Sequence, residues 1–173
     1  AILGCGTIGL LTLYAAKYFN AKKIVMTDLV EKKRNLAKQI GADLVFDAAS
    51  KTLPSDIRQA VGQSIDVVYD CVAIQQTVSQ AISLADKAGT VMIVGVPAKE
   101  VTVPLPIIQD HQIRIQGSAT YLPADYHDSI KIISQPSFKA KEIVTAVFPK
   151  DQAQQAFNTA IAGEQIKVLI RFS

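Results

Sequence analysis

Three glycines near the front of the chain, Gly4, Gly6 and Gly9, stand in the pattern Gly-x-Gly-x-x-Gly. They follow the apolar Ala1-Ile2-Leu3 and open the apolar run from Thr7 to about Phe19, so the order reads strand, glycine turn, helix. A pyrophosphate is doubly charged, and backbone N–H groups at a helix N-terminus, aided by the helix dipole, bind such an anion without a cationic side chain. In this pattern Gly4 makes the tight turn, Gly6 leaves room for phosphate, and Gly9 lets helix and strand approach closely. The next strand, Lys23 to Asp28, ends on a carboxylate at about the 20-residue spacing where an acidic side chain accepts hydrogen bonds from both hydroxyls of an adenosine ribose. A carboxylate there repels the 2′-phosphate of NADP, so the pattern points to NAD, with Lys33 and Arg34 close enough in sequence to soften the discrimination.

No other residue set suggests catalysis by itself. Cys5 and Cys71 form no Cys-x-x-Cys pair, and His111 and His127 are far apart with no partner pattern. Tyr18 and Lys22 have the Tyr-x-x-x-Lys spacing of short-chain reductases but fall where the first helix ends, away from where that chemistry works. The sequence therefore assigns no catalytic residue and no metal ligand. A net charge of +3 over 173 residues is small, and its basic residues are not interleaved with aromatics, which argues against a nucleic-acid partner. Lys32, Lys33, Arg34 and Lys38 read as a solvated helix face. The apolar stretches fall short of the roughly 20 residues that a bilayer span requires. Two unpaired cysteines and no signal peptide before the first motif lead us to expect a reduced, cytoplasmic setting.

These residues need elements to position them. After the first strand-turn-helix-strand come a helix at about Glu31 to Ile40, a strand at Leu44 to Phe46 and a helix at about Ser55 to Val61. Next are a strand at Ile65 to Tyr69, a helix at about Gln75 to Lys87 and a strand at Thr90 to Val94, apolar on both faces and bracketed by Gly89 and Gly95. Val101 to Val103 alternates briefly, prolines 104 and 106 start a short helix, and Ile113 to Gly117 reads as a last strand. A helix at about Asp125 to Ser134 precedes a tail of strand (Ile143 to Phe148), helix (Gln152 to Ala162) and strand (Lys167 to Phe172). The alternation predicts an α/β Rossmann domain, a doubly wound parallel sheet, over residues 1–135, with a strand-helix-strand tail over 136–173.

Four stretches carry a family resemblance: Leu3 to Leu11, Arg34 to Asp43, Asp66 to Val72 and Gly89 to Pro97, joined by Gln116 to Ser118, Ala156-Phe157 and Ile166 to Ile170. With them the chain resembles the cofactor domain of the medium-chain zinc-type alcohol dehydrogenases, in the branch of sorbitol, butanediol and threonine dehydrogenases. The resemblance implies pyrophosphate contacts at Thr7 and Ile8, ribose contacts at Asp28 and Lys33, and an adenine-side crevice at Cys71 and Val72. It also implies a nicotinamide side lined by Val94 and Val96, carboxamide contacts from the backbone at Ser118 and Thr120, and a basic residue, Lys167, near the pyrophosphate. The family's zinc is held by Cys, His and Glu residues of an amino-terminal barrel-like domain, and no such domain is in this sequence. The implied function is to position NAD for hydride transfer with an alcohol or polyol, zinc being held elsewhere. The tail is expected to return to that catalytic domain, and two cofactor domains to pair edge to edge in a homodimer or higher oligomer.

Two other readings compete. A zinc-free quinone or enoyl reductase of the same superfamily would use NADPH and a differently spaced turn, which Asp28 and the glycines as written disfavour. A non-catalytic nucleotide-sensing module shares the glycine turn and acidic strand end, but the run from Gly89 to Pro97 and the tail after Phe148 favour the dehydrogenase reading.

Overall fold

The computed structural model describes residues 1–172. By compactness these form two units, Ala1–Leu122 and the residues from Pro123 on. In the first, strands β1 (Ile2–Leu3), β2 (Val25–Asp28), β3 (Leu44–Asp47), β4 (Val67–Asp70), β5 (Thr90–Ile93) and β6 (Arg114–Gly117) form one sheet in the order β3-β2-β1-β4-β5-β6. Every neighbouring pair is parallel. The strands are joined by α1 (Thr7–Tyr18), α2 (Glu31–Ile40), α3 (Leu53–Val61), α4 (Gln75–Leu84) and α5 (Leu105–Asp110). This is the expected Rossmann order, and the chain reverses direction across the sheet between β1 and β4, where open α/β sheets bind ligands at the strands' carboxyl ends.

Local chemistry sets the element ends. Pro54 sits in the first turn of α3, where a missing N–H costs nothing, and Gly41 and Gly62 stop α2 and α3 in left-handed conformations at φ +117° and +65°. The main core packs Leu53, Ile57 and Val61 of α3 and Val78, Ala81 and Ile82 of α4 against Leu3, Val25, Val68 and Val91 of the sheet. Leu10, Leu13 and Tyr14 are the buried stripe of α1. Ile2 points to the opposite face from Leu3, as strand alternation requires, toward α1 at Gly9.

The second unit contains α6 (Pro123–Ile133), α7 (Ala140–Ile143), β7 (Val144–Pro149), a 3-10 turn at Lys150–Gln152, α8 (Ala153–Ile161) and β8 (Lys167–Arg171). β7 and β8 pair in parallel as a two-stranded sheet, with an irregular register between Val144 and Ala146. Ile143 and Ala156 are its buried side chains. The compact boundary precedes α6, whereas the sequence reading placed it after that helix, at 135/136. Pro136 breaks secondary structure there, and a break in secondary structure need not be a break in packing. The short helix α7 was not foreseen, because four residues are too few to show a helical period.

Candidate functional site

The glycine turn imposes hard constraints. Gly4 has φ +98°, and a Cβ on it would lie 2.8 Å from Val72 Cγ2. Its N–H donates to the Thr27 carbonyl at 2.8 Å, tying the turn to β2. A Cβ on Gly9 would lie 1.8 Å from the Gly4 carbonyl oxygen, so β1 and α1 approach as closely as only glycine permits. Around Gly6 the reverse holds: nothing lies within 4 Å of an added Cβ, so the turn is open on that side. Gly6 is also the N-cap of α1 and supplies no capping side chain. Thr7 and Ile8, the first two helical residues, are half-buried and exposed respectively at this opening.

Asp28 is bound to the same turn. Its Oδ2 accepts the N–H of Cys5 at 2.7 Å and its Oδ1 accepts the N–H of Val30 at 2.8 Å. Two backbone donors use about half of a carboxylate's acceptor capacity and fix its rotamer, leaving acceptor positions for ribose hydroxyls. Lys33 is half-buried on α2 one turn away. Arg34 donates to the carbonyls of Asp28 and Leu29 at 2.8 and 2.9 Å and pairs with Asp47 at 3.6 Å. Its guanidinium braces the end of β2 and is already engaged, which weakens its availability to a 2′-phosphate.

Across the switch point, Cys71 and Val72 follow β4, and Val72 lies against the Gly4 turn. Burial pushes the Cys71 thiol up to about 11, opposed by its contact with the Thr12 hydroxyl. Burial and then the Asp28 charge push the Cys5 thiol up to about 12. Both stay protonated at neutral pH, which suits them to packing rather than to nucleophilic attack or metal binding. Among the described residues no group of three or more His, Cys, Asp or Glu could hold a metal, so these residues do not fit the family's zinc.

Val94 is half-buried after β5, while Val96 is 90% exposed. The Ser118 N–H donates to Ile93 O at 2.9 Å, so only its carbonyl can meet a ligand through the backbone. Thr120 is exposed in a left-handed conformation at φ +61°. The fold thus places Gly4, Gly6, Thr7, Ile8, Gly9, Asp28, Cys71, Val72, Val94, Val96, Ser118 and Thr120 in or next to the turns that follow the sheet's strands. Lys167 instead opens β8 in the second unit and is exposed.

Sequence reasoning passed over Leu29 and Ile74, aliphatic side chains that remain largely exposed right after Asp28 and close after Val72. An apolar residue directly following the acidic strand end was the available signal, since a flat base needs such a surface. It also passed over Asp70, which is fully buried at the end of β4. A cavity of about 740 Å³ includes Val94 and Ser118 but runs along Ile2, Val25, Val67, Tyr69 and Met92 and excludes the glycines and Asp28. A dinucleotide site of this kind is an open rim of loops, so a hollow along the strands is not its marker.

A family model described as zinc-binding dehydrogenase matches residues 7–135, and the chain belongs to that family. Sorbitol dehydrogenase of Mus musculus is 30% identical over 173 residues, covering 98% of this chain and 48% of the relative. Among solved structures, an Escherichia coli oxidoreductase/dehydrogenase of unknown specificity superposes with a TM-score of 0.92 at 31% identity, over 99% of this chain and 50% of the other. A Sinorhizobium meliloti protein solved bound to NADP has a TM-score of 0.87 at 27% identity, over 98% and 51%. The chain spans about half the length of the curated relatives it matches.

Proposed function

We propose that this chain is the NAD-binding part of a zinc-dependent alcohol or polyol dehydrogenase, and that it orients nicotinamide for hydride transfer with an alcohol or ketone. The observation that carries the reading is the lock between Asp28 and the glycine turn. One carboxylate accepts N–H groups from the turns after both β1 and β2, holding a ribose acceptor beside a glycine-lined helix N-terminus. Gly4, Gly6, Thr7, Ile8 and Gly9 then surround the pyrophosphate, and Asp28 and Lys33 the ribose. Cys71 and Val72 border the adenine side, Val94 and Val96 the nicotinamide, and Ser118 and Thr120 the carboxamide. Residues 1–135 act as the cofactor domain and 136–173 as a tail to the catalytic domain. NAD supplies the hydride acceptor, and zinc, acting as a Lewis acid, is held by polypeptide outside these residues.

Sorbitol dehydrogenase among the relatives supports a polyol as substrate. The solved neighbour bound to NADP makes the choice of dinucleotide the point to test. A homodimer pairing through β6 fits an edge strand whose residues are all exposed. Among the described residues no helix is long and apolar enough to cross a membrane, and a reducing cytoplasm suits two free thiols. Titrating NADH into the protein by fluorescence tests the reading. Saturable binding that Gly6→Val abolishes is expected, because a side chain would fill the open cradle; binding unaffected by Gly6→Val would refute it.

A further inference from the structure

We propose that Asp70 is a positioning residue for the cofactor crevice, one that shapes both loops at the switch point without itself touching the ligand. The inference rests on the dinucleotide reading above. Asp70 is fully buried at the end of β4. Its Oδ1 accepts the N–H groups of Val72 and Ala73 at 3.0 and 2.9 Å, and its Oδ2 accepts the Thr77 hydroxyl at 2.9 Å. Its carbonyl accepts the N–H groups of Val94 and Gly95, both at 2.9 Å. One residue therefore holds the loop after β4 through its side chain and the loop after β5 through its backbone.

The two loops also touch. A Cβ on Gly95 would lie 2.7 Å from the Val72 carbonyl carbon and 2.8 Å from its nitrogen, and Val72 in turn lies against Gly4. A shift of the Cys71–Ile74 backbone would therefore be felt at the glycine turn and beside Val94. That backbone is not in a relaxed form: Ala73 is buried in the left-handed region at φ +59°, which non-glycine residues rarely adopt. The carboxylate supplies the bonds that hold it there. The carboxylate also reaches the start of α4 through one side chain: Ile74, its N-cap, has no acceptor side chain, its N–H donates to Thr77 Oγ1 at 3.1 Å, and it is the Thr77 hydroxyl that Asp70 accepts.

Shape and hydrogen bonding can be separated from charge. In Asp70→Asn the side-chain oxygen still accepts from Val72 and Ala73. The new amide donates to Thr77 Oγ1, whose own hydrogen turns to the Ile74 carbonyl, already 3.1 Å away. Asp70→Ala removes all three side-chain bonds. The test is fluorescence titration of the full chain with NADH, with thermal melting as a check on folding. We expect Asp70→Ala to weaken NADH binding about tenfold or more, and Asp70→Asn to restore it to within about threefold of the unmodified protein. If Asp70→Ala does not fold, Thr77→Val decides: it removes one carboxylate partner at constant shape, and should weaken NADH severalfold while Thr77→Ser restores binding. Asp70→Ala or Thr77→Val binding NADH as tightly as the unmodified protein would overturn the proposal. So would Asp70→Asn binding as poorly as a folded Asp70→Ala, since charge would then be the cause. An unmodified protein that binds no NADH would remove the dinucleotide reading itself, and the positioning role with it.

Discussion

In the first unit, β1, β2, β4 and β5 each have a hydrogen-bonded neighbour on both sides, and a core of α3 and α4 side chains closes one sheet face. In the second, among the described residues, β7 and β8 have only each other. Val147 and Leu169, cross-strand partners there, are 52% and 40% exposed, and Phe157 and Ile161 on α8 are 61% and 81% exposed. Parallel sheets are ordinarily covered on both faces, and a two-stranded sheet alone is marginal in water. The difference teaches where rigidity is invested: the strand ends at the glycine turn, Asp28 and Cys71, those of β1, β2 and β4, sit on the best-buried part of the sheet. The apolar faces of the second unit fit the proposed tail that is completed by other polypeptide. Val144, Val168 and Ile170 are half-buried within the unit, leaving Val147 and Leu169 to seek cover.

The most severe way to break this contrast is Gly9→Val. Its Cβ would fall 1.8 Å from the Gly4 carbonyl oxygen, which no rotamer relieves. We expect loss of cooperative folding in the first unit, read as collapse of amide exchange protection across β5, with β7 and β8 amides exchanging as before. Retained β5 protection would mean that the close approach of β1 and α1 is not required. Next in size, Leu13→Ala or Leu53→Ala should cost about 2–5 kcal/mol in urea titrations, because both side chains are fully buried. A cost below about 1 kcal/mol would show a looser core than described.

Alkaline pH offers a third contrast, because both thiols lie in the first unit. Each has its pKa raised by burial, from 9.0 to about 12 at Cys5 and about 11 at Cys71. Unfolded thiols ionise first, so the contribution is intact below pH 9 and is lost as pH rises through the folded values. Stability of the first unit should therefore fall between pH 9 and 11, and Cys5→Ser with Cys71→Ser should flatten that slope. An unchanged slope would assign the loss to other groups. The smallest effect is expected at Val147→Ala, about 0.5 kcal/mol or less in this chain, with β8 exchanging faster than β5 throughout. Equal protection of β5 and β8 would make the second unit as self-sufficient as the first.

Val91-Met92-Ile93 between Gly89 and Gly95 reads as an interior strand at the sheet's centre; β5 is interior, with a neighbour on each side, but lies next to the edge strand β6, and Val91 is its one fully buried residue. The glycine spacing and Asp28 were legible because backbone geometry demands those residue types. Ends were less so. β4 starts at Val67 rather than Ile65, and α4 stops at Leu84 rather than Lys87, because tertiary pairing and not periodicity decides the last turn. Asp70 was invisible as a functional candidate: an acidic residue closing a strand looks like a polar edge until its donors from Val72, Ala73 and Thr77 are seen. The paired exposure of Val147 and Leu169 also depends on register, which the tail's sequence leaves open.

The central claim is that Asp28, held by Cys5 and Val30, faces an adenosine ribose and not a phosphate. Calorimetric titration of the protein with NAD and NADP, before and after Asp28→Gly, tests it most directly. A carboxylate close to a phosphate in a partly desolvated site is strongly repulsive, so NAD should bind at least about tenfold tighter than NADP. Asp28→Gly should draw the two affinities together. Equal affinities in the unmodified protein, or a preference for NAD that survives Asp28→Gly unchanged, would contradict the account.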